Sequence, residues 1–103
     1  MPMENRYHIT YHPLAEKEYL ESVSWYEDNL TGLGNDFISE VEKTLTHIET
    51  NPFLYAVKKQ QFREALVRTF PYIIVYKIIP KKKQIIITSV FHTSRNPVLK
   101  YKR

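Results

Sequence analysis

The sequence contains 103 residues, of which 43% are hydrophobic and 14% aromatic, and it has no cysteine. This length and composition predict one domain with a substantial core, and they exclude a disordered tail, disulfides, thiol nucleophiles and thiolate metal sites. Residues 1–51 hold 3 basic and 10 acidic residues, a net charge of −7, whereas residues 52–103 hold 12 basic and 1 acidic residue, a net charge of +11. This segregation predicts a basic face for nucleic acid or an acidic protein partner, although two ordinary solvated faces would give the same counts.

The sequence shows no sign of export or membrane insertion. Its N-terminus lacks the long apolar core of a signal peptide, and the longest apolar runs, Tyr72–Tyr76 and Ile85–Ile87, are far too short to span a bilayer. We therefore expect a soluble, cytoplasmic domain with no membrane partner.

The first predicted elements are a strand and a helix. Tyr7, Ile9 and Tyr11 alternate with polar residues, which is typical of a half-buried strand. Pro13 suits the first turn of a helix, where its missing N–H is not needed. The apolar face of that helix recurs at steps of three and four residues: Ala15, Tyr19, Val23, Tyr26 and Leu30.

A second helix follows a glycine-containing break at Thr31–Gly34, where a positive φ is expected. Its apolar face consists of Phe37, Val41, Leu45 and Ile48, and it ends before Asn51-Pro52. Two amphipathic helices joined by a short linker predict an antiparallel helical hairpin.

After Pro52 the pattern favours strands. Residues 53–61 form a connection without clear alternation, and residues 62–68 contain a plausible strand. Stronger strand signals cover Tyr72–Ile79 and Gln84–His92, on either side of a lysine-rich turn at 80–83. The predicted fold class is α+β: an N-terminal strand, an antiparallel helical hairpin, then a three-stranded antiparallel meander (β-α-α-β-β-β). Residues 96–103 are a basic tail that forms a turn of helix or frays.

Several short motifs occur in order between about Tyr7 and Pro97. They are Trp25-Tyr26-Glu27, Gly32-Leu33-Gly34 with Phe37, Pro52, Arg63, Phe70-Pro71-Tyr72-Ile73-Ile74-Val75-Tyr76, and Val90-Phe91-His92 followed by Arg95-Asn96-Pro97. Together they resemble the RelE/ParE superfamily of bacterial toxins from type II toxin–antitoxin (plasmid stabilisation) systems, and they are closer to the ParE-like type. The resemblance implies one toxin domain over residues 1–103 and a cognate antitoxin protein as partner. It also allows a homodimer or a toxin–antitoxin heterotetramer.

Two activities are known on this fold, so the site must separate them. ParE-like members inhibit DNA gyrase without covalent chemistry, and RelE-like members are ribosome-dependent mRNA endoribonucleases. The ribonuclease pattern is interrupted here: Ile73 stands where RelE-like enzymes resemble one another in having arginine, residues 64–67 break the basic cluster of the preceding strand, and Thr93 stands near a further arginine position. These departures favour the ParE-like activity. A degenerate toxin that only binds its partner is a third interpretation.

The candidate functional residues lie in the second half of the chain. If the protein is a ribonuclease, the catalytic residues are His92, Arg63 and Arg95, since imidazole can transfer protons and guanidinium can bind phosphate bidentately. Otherwise the residues that bind the target or antitoxin are Arg63, Arg68, Tyr72, His92 and Arg95. Each also has a structural interpretation: His92 as the end of a strand, Tyr72 as core, and the arginines as solvated or salt-bridged cations. Arg63 and Arg68, five residues apart, would face opposite sides of a regular strand.

Neither a metal ion nor an organic cofactor is expected. His8 and His12 would lie roughly 13 Å apart on a strand, too far for one metal ion to bind both. The sequence also lacks a glycine-rich phosphate loop. Trp25 and Tyr26 are expected in the core or an interface, and Lys81–Lys83 at a solvated hairpin tip that could also steer nucleic acid.

Overall fold

The computed structural model describes residues 6–103 and confirms the α+β fold class. The two helices follow the first strand, and the remaining strands form a mostly antiparallel sheet. The elements are β1 (His8–Tyr11), α1 (Pro13–Asn29), α2 (Leu33–Thr50), β2 (Val57–Lys59), β3 (Phe62–Leu66), β4 (Tyr72–Ile79) and β5 (Gln84–His92), with short 3₁₀ turns at Pro80–Lys82 and Pro97–Leu99.

The five strands form one sheet in the order β1-β5-β4-β3-β2. β1 runs parallel to β5, with His8 opposite Gln84 and Tyr11 opposite Ile87, and the other pairs are antiparallel. The meander therefore has four strands, because the predicted connection at 53–61 contains β2. All three side chains of β2 are exposed, so this strand has no alternation that a sequence pattern could reveal.

The helical hairpin is held at its turn by one carboxylate. Gly32 adopts φ 93°, the left-handed conformation expected of this break. Glu27 of α1 accepts hydrogen bonds from the backbone N–H groups of Gly32 (3.0 Å) and Gly34 (3.0 Å), which satisfies free donors at the start of α2. A side chain at Gly34 would meet the backbone oxygen of Val23 at 3.0 Å, so glycine is required there by close packing.

The main core lies between the helices and one face of the sheet. Tyr26 and Phe37 of the helices pack against Phe70 and Tyr72, with ring centroids 4.9 to 6.2 Å apart. Tyr76 is fully buried and donates its hydroxyl to the carbonyl of Pro52 at 2.7 Å. The helices thus anchor the start of β4, and Tyr76 of β4 anchors the connection after α2.

A smaller apolar cluster covers the opposite face of the sheet. Phe62, Val75 and Phe91 are buried there, and Tyr101 of the C-terminal tail packs its ring against Phe62 at 5.3 Å. The predicted basic tail is therefore docked: it lies on the face of the sheet that the helices leave open.

A bulge in β5 reorients the end of this strand. Val75 lies opposite Ser89 and Tyr76 opposite Ile87, so Thr88 has no partner on β4. Within residues 6–103, neither helix has the length and apolar character needed to cross a membrane.

Candidate functional site

The last part of β5 has no neighbouring strand on the side of β1, and polar side chains bind its backbone groups instead. β1 pairs with Gln84–Ile87 only, so α1 rather than a strand flanks the bulged part of β5. Glu18 of α1 accepts hydrogen bonds from the backbone N–H of Val90 (3.0 Å) and the hydroxyl of Ser89 (3.0 Å). Arg103 donates to the carbonyl of Thr88 at 2.7 Å. These polar side chains satisfy backbone groups that a neighbouring strand would otherwise bind.

Two guanidinium groups converge on Glu18. Arg95 donates to its Oε2 at 2.6 Å, and Arg103 donates to Oε1 at 2.8 Å and to Oε2 at 3.0 Å. Burial raises the pKa of Glu18, but the hydrogen bonds from Arg103, Arg95, Ser89 and Val90 outweigh it, so the pKa lies below its ordinary value. Glu18 is therefore ionised at neutral pH and joins α1 to the chain after β5.

A groove with a volume of about 360 Å³ opens beside this ion pair. Arg95 borders it with 38% of its side chain exposed, and Trp25, 60% exposed, forms part of its wall. The groove combines aromatic groups, one imidazole, one guanidinium and two carboxylates. Its lining residues are Glu18, Glu21, Ser22, Trp25, Tyr72, Val90, His92 and Arg95.

His92 ends β5 with one ring nitrogen already bound. Its Nδ1 accepts the backbone N–H of Ser94 at 3.0 Å, and the hydroxyl of Ser94 lies 2.7 Å from the same atom. The ring also makes an edge contact with Tyr72 at 5.0 Å. Because Nδ1 accepts a hydrogen bond, the neutral ring carries its proton on Nε2, the nitrogen available for a ligand.

Neither Arg63 nor Arg68 lines this groove. Arg63 of β3 donates to the carbonyls of Phe53 (3.3 Å) and Tyr55 (2.5 Å) and packs over the Phe53 ring. Arg68 follows the end of β3 and lines a separate groove with His47 of α2. Arg68 lies beyond the end of β3, so strand alternation does not fix the direction of its side chain.

The structure thus brings together three of the five predicted site residues: Tyr72, His92 and Arg95. It adds two groups that the sequence did not single out as functional, Glu18 and Arg103. The side chain of Trp25 is exposed, whereas that of its neighbour Tyr26 is buried as expected. The helix period places Glu18 one turn before Ser22 and two turns before Trp25, which was the available signal for one polar and aromatic face.

Other positions bear on catalysis and metal binding. Ile73 packs against the cluster of Phe62, Val75 and Phe91, on the face of the sheet away from the helices. His12 caps α1 by accepting the backbone N–H of Leu14 at 3.1 Å. In the part of the chain that the structure describes, no group of three or more His, Asp or Glu residues is placed to hold a metal ion.

Comparisons with known proteins agree with this architecture. The family model described as the ParE toxin of the type II toxin–antitoxin system parDE matches residues 9–97. A chain from the chromosomal ParDE toxin–antitoxin system of P. aeruginosa superimposes with a TM-score of 0.74 at 8% identity, over 87% of this chain and 99% of that one. The isolated E. coli RelE toxin superimposes with a TM-score of 0.67 at 20% identity, over 89% of each chain. No curated protein sequence matches significantly.

Proposed function

Since the chain belongs to the ParE toxin family of type II toxin–antitoxin systems, we propose that it is the toxin of such a pair and inhibits DNA gyrase without covalent chemistry of its own. The family match over residues 9–97 is the observation that carries this proposal. The structural neighbours support the fold alone, since they include both a ParDE chain and a RelE toxin.

The chemistry of the groove favours binding over RNA cleavage. Metal-free cleavage needs a base for the 2′-hydroxyl, a cation at the scissile phosphate and an acid for the leaving oxygen. Here Arg95 is bound to Glu18, and Glu21 adds a second carboxylate to the lining. Glu18 is paired with two guanidinium groups and Glu21 offsets the remaining positive charge, so the groove presents no net cation to a scissile phosphate and suits a protein surface better.

We also propose a cognate antitoxin as the partner that keeps the toxin inactive. The net charge of +11 in residues 52–103 suits an acidic or amphipathic segment that folds on binding. We further propose that residues 1–103 form a single toxin domain.

The gyrase proposal is tested with the purified, antitoxin-free chain. It is added in excess to gyrase, ATP and relaxed plasmid, and supercoiled and linear DNA are quantified after protein digestion. We expect supercoiling to be lost and linear DNA to accumulate from trapped cleavage complexes. Unchanged supercoiling with a chain shown to be folded by circular dichroism would reject gyrase as the target.

A RelE-like ribonuclease is the second candidate, because Tyr72, His92 and Arg95 line one groove. In a translation reaction, such an activity would cleave ribosome-bound mRNA, and His92→Ala and Arg95→Ala would each abolish it. His47→Ala is the matched control, because His47 is an exposed histidine in a different groove. Cleavage that survives both groove substitutions would remove this candidate.

A further inference from the structure

Lysines from three separate segments gather around one aromatic pair on the face of the sheet away from the helices. The ammonium of Lys59 lies 5.9 Å from the ring of Tyr101, that of Lys100 lies 5.7 Å from the same ring, and that of Lys77 lies 5.5 Å from the ring of Phe62. Lys102 of the tail lines a groove together with Lys59. We call this group the lysine surface: Lys59, Lys77, Lys100 and Lys102.

Only one acidic side chain is available in this half of the sequence to neutralise these lysines. Glu64 is the sole acidic residue after Asn51, and its side chain is only 11% exposed. It accepts hydrogen bonds from Lys100 at 3.2 Å and from the hydroxyl of Tyr101. Glu64 therefore offsets the charge of Lys100. Lys77 donates to the backbone oxygen of Arg103 at 3.2 Å, so the exposed Lys59 and Lys102 carry the accessible positive charge of the lysine surface.

The lysine surface borders an open groove with a volume of about 500 Å³. Among the residues that the structure describes, those lining the groove include two lysines and no carboxylate. They are Lys59, Gln60, Pro97, Val98, Tyr101 and Lys102. Clustered like charges in a cleft raise the local concentration of anions, so this groove is suited to a polyanion.

We propose that the lysine surface binds the phosphate backbone of double-stranded DNA. Lysine ammonium groups on flexible stems suit evenly spaced phosphates, and they bind with little sequence preference. A single strand would require aromatic platforms for stacking, but the ring of Tyr101 is packed against Phe62. The choice of DNA rests on the proposed function, since gyrase acts on duplex DNA.

Fluorescence anisotropy with a labelled 20-base-pair duplex, without gyrase, tests the proposal. Lys59→Glu combined with Lys102→Glu is expected to weaken binding at least about tenfold at low salt, and to reduce the slope of log K against log salt by about 2. The matched control, Lys17→Glu with Lys43→Glu, makes the same change in net charge on exposed helix positions and is expected to retain binding. Circular dichroism checks that both variants fold.

Three outcomes would overturn the inference. They are absence of binding to the duplex at about 50 mM salt, equal losses in the two double variants, and tighter binding to single-stranded DNA or to polyglutamate than to the duplex. The supercoiling assay separates this proposal from the previous one. Inhibition of gyrase that persists without DNA binding refutes the lysine surface alone, whereas DNA binding without inhibition refutes gyrase as the target.

Discussion

At the scale of single residues, Glu18 connects the most distant parts of the chain. Its carboxylate receives hydrogen bonds from donors that lie 71 to 85 residues further along the sequence. These donors include two guanidinium groups, a hydroxyl and a backbone N–H. The ionised carboxylate of Glu18 therefore contributes to the free energy of folding.

Replacing Glu18 by Gln is expected to lower the free energy of unfolding by about 2 to 3 kcal/mol, because two guanidinium groups lose their counter-charge. The change is measured by urea denaturation. Glu16→Gln is the control, since Glu16 is an exposed acid on the same helix. Equal effects of the two substitutions would contradict the role given to Glu18.

The same carboxylate predicts a pH dependence. Its pKa is lowered in the folded state, so the unfolded chain binds the proton more readily. The stabilisation by Glu18 is therefore complete above the unfolded pKa, near ~4.3, and is lost as the pH falls through the lower folded value. We expect the stability difference between the wild type and Glu18→Gln to shrink between pH 5 and pH 3. A difference that stays constant over this range would contradict the assignment.

Sequence reasoning found part of this site. Tyr72, His92 and Arg95 were singled out from motifs near the last two strands, and they do line one groove; their role stays a prediction. Glu18 was not found because a glutamate in an acidic helix looks like any solvated residue, and its partners are identified only by tertiary contacts. Arg103 was missed for the same reason, because its contacts with Glu18 and Thr88 are tertiary contacts.

At the scale of elements, the strength of the local pattern decided how accurately each segment was predicted. Tyr72–Ile79 and Gln84–His92, which are rich in β-branched residues, have the predicted strand bounds. β3 ends at Leu66, two residues before the predicted limit. β2 was missed because its pairing with β3, rather than burial of its own side chains, makes it a strand.

The junction of the two helices gives a test at this scale. Glu27→Ala removes the carboxylate that caps α2, and we expect a loss of about 1 kcal/mol of stability. Asp28→Ala is the control, because Asp28 is an exposed acid in the same turn of α1. Thermal unfolding followed by circular dichroism compares them, and equal losses would argue against the cap.

At the scale of the whole molecule, the sheet is covered by different elements on its two faces. The helices supply the main core, and the C-terminal tail supplies Tyr101 to the second cluster. Burial and the hydrogen bond to Glu64 raise the pKa of Tyr101 to about 12, so its hydroxyl remains a donor at physiological pH. The tail therefore contributes to folding as well as to the lysine surface.

Tyr101→Ala is expected to destabilise the protein by about 2 to 3 kcal/mol, because it removes an aromatic ring from the cluster and leaves Glu64 without its hydroxyl donor. Urea denaturation of Lys102→Ala, at the adjacent exposed position, should show almost no change. A tail that only frays would give no difference between the two variants.

The parallel pairing of β1 with β5 has a consequence for synthesis of the protein. His8 lies opposite Gln84, so β1 leaves the ribosome well before the strand that pairs with it. Closing so long a loop is entropically costly, and contacts of this range slow folding. During translation, β1 can pair with its partner strand only after β5 has emerged. A nascent chain therefore acquires the complete sheet only once β5 has left the ribosome.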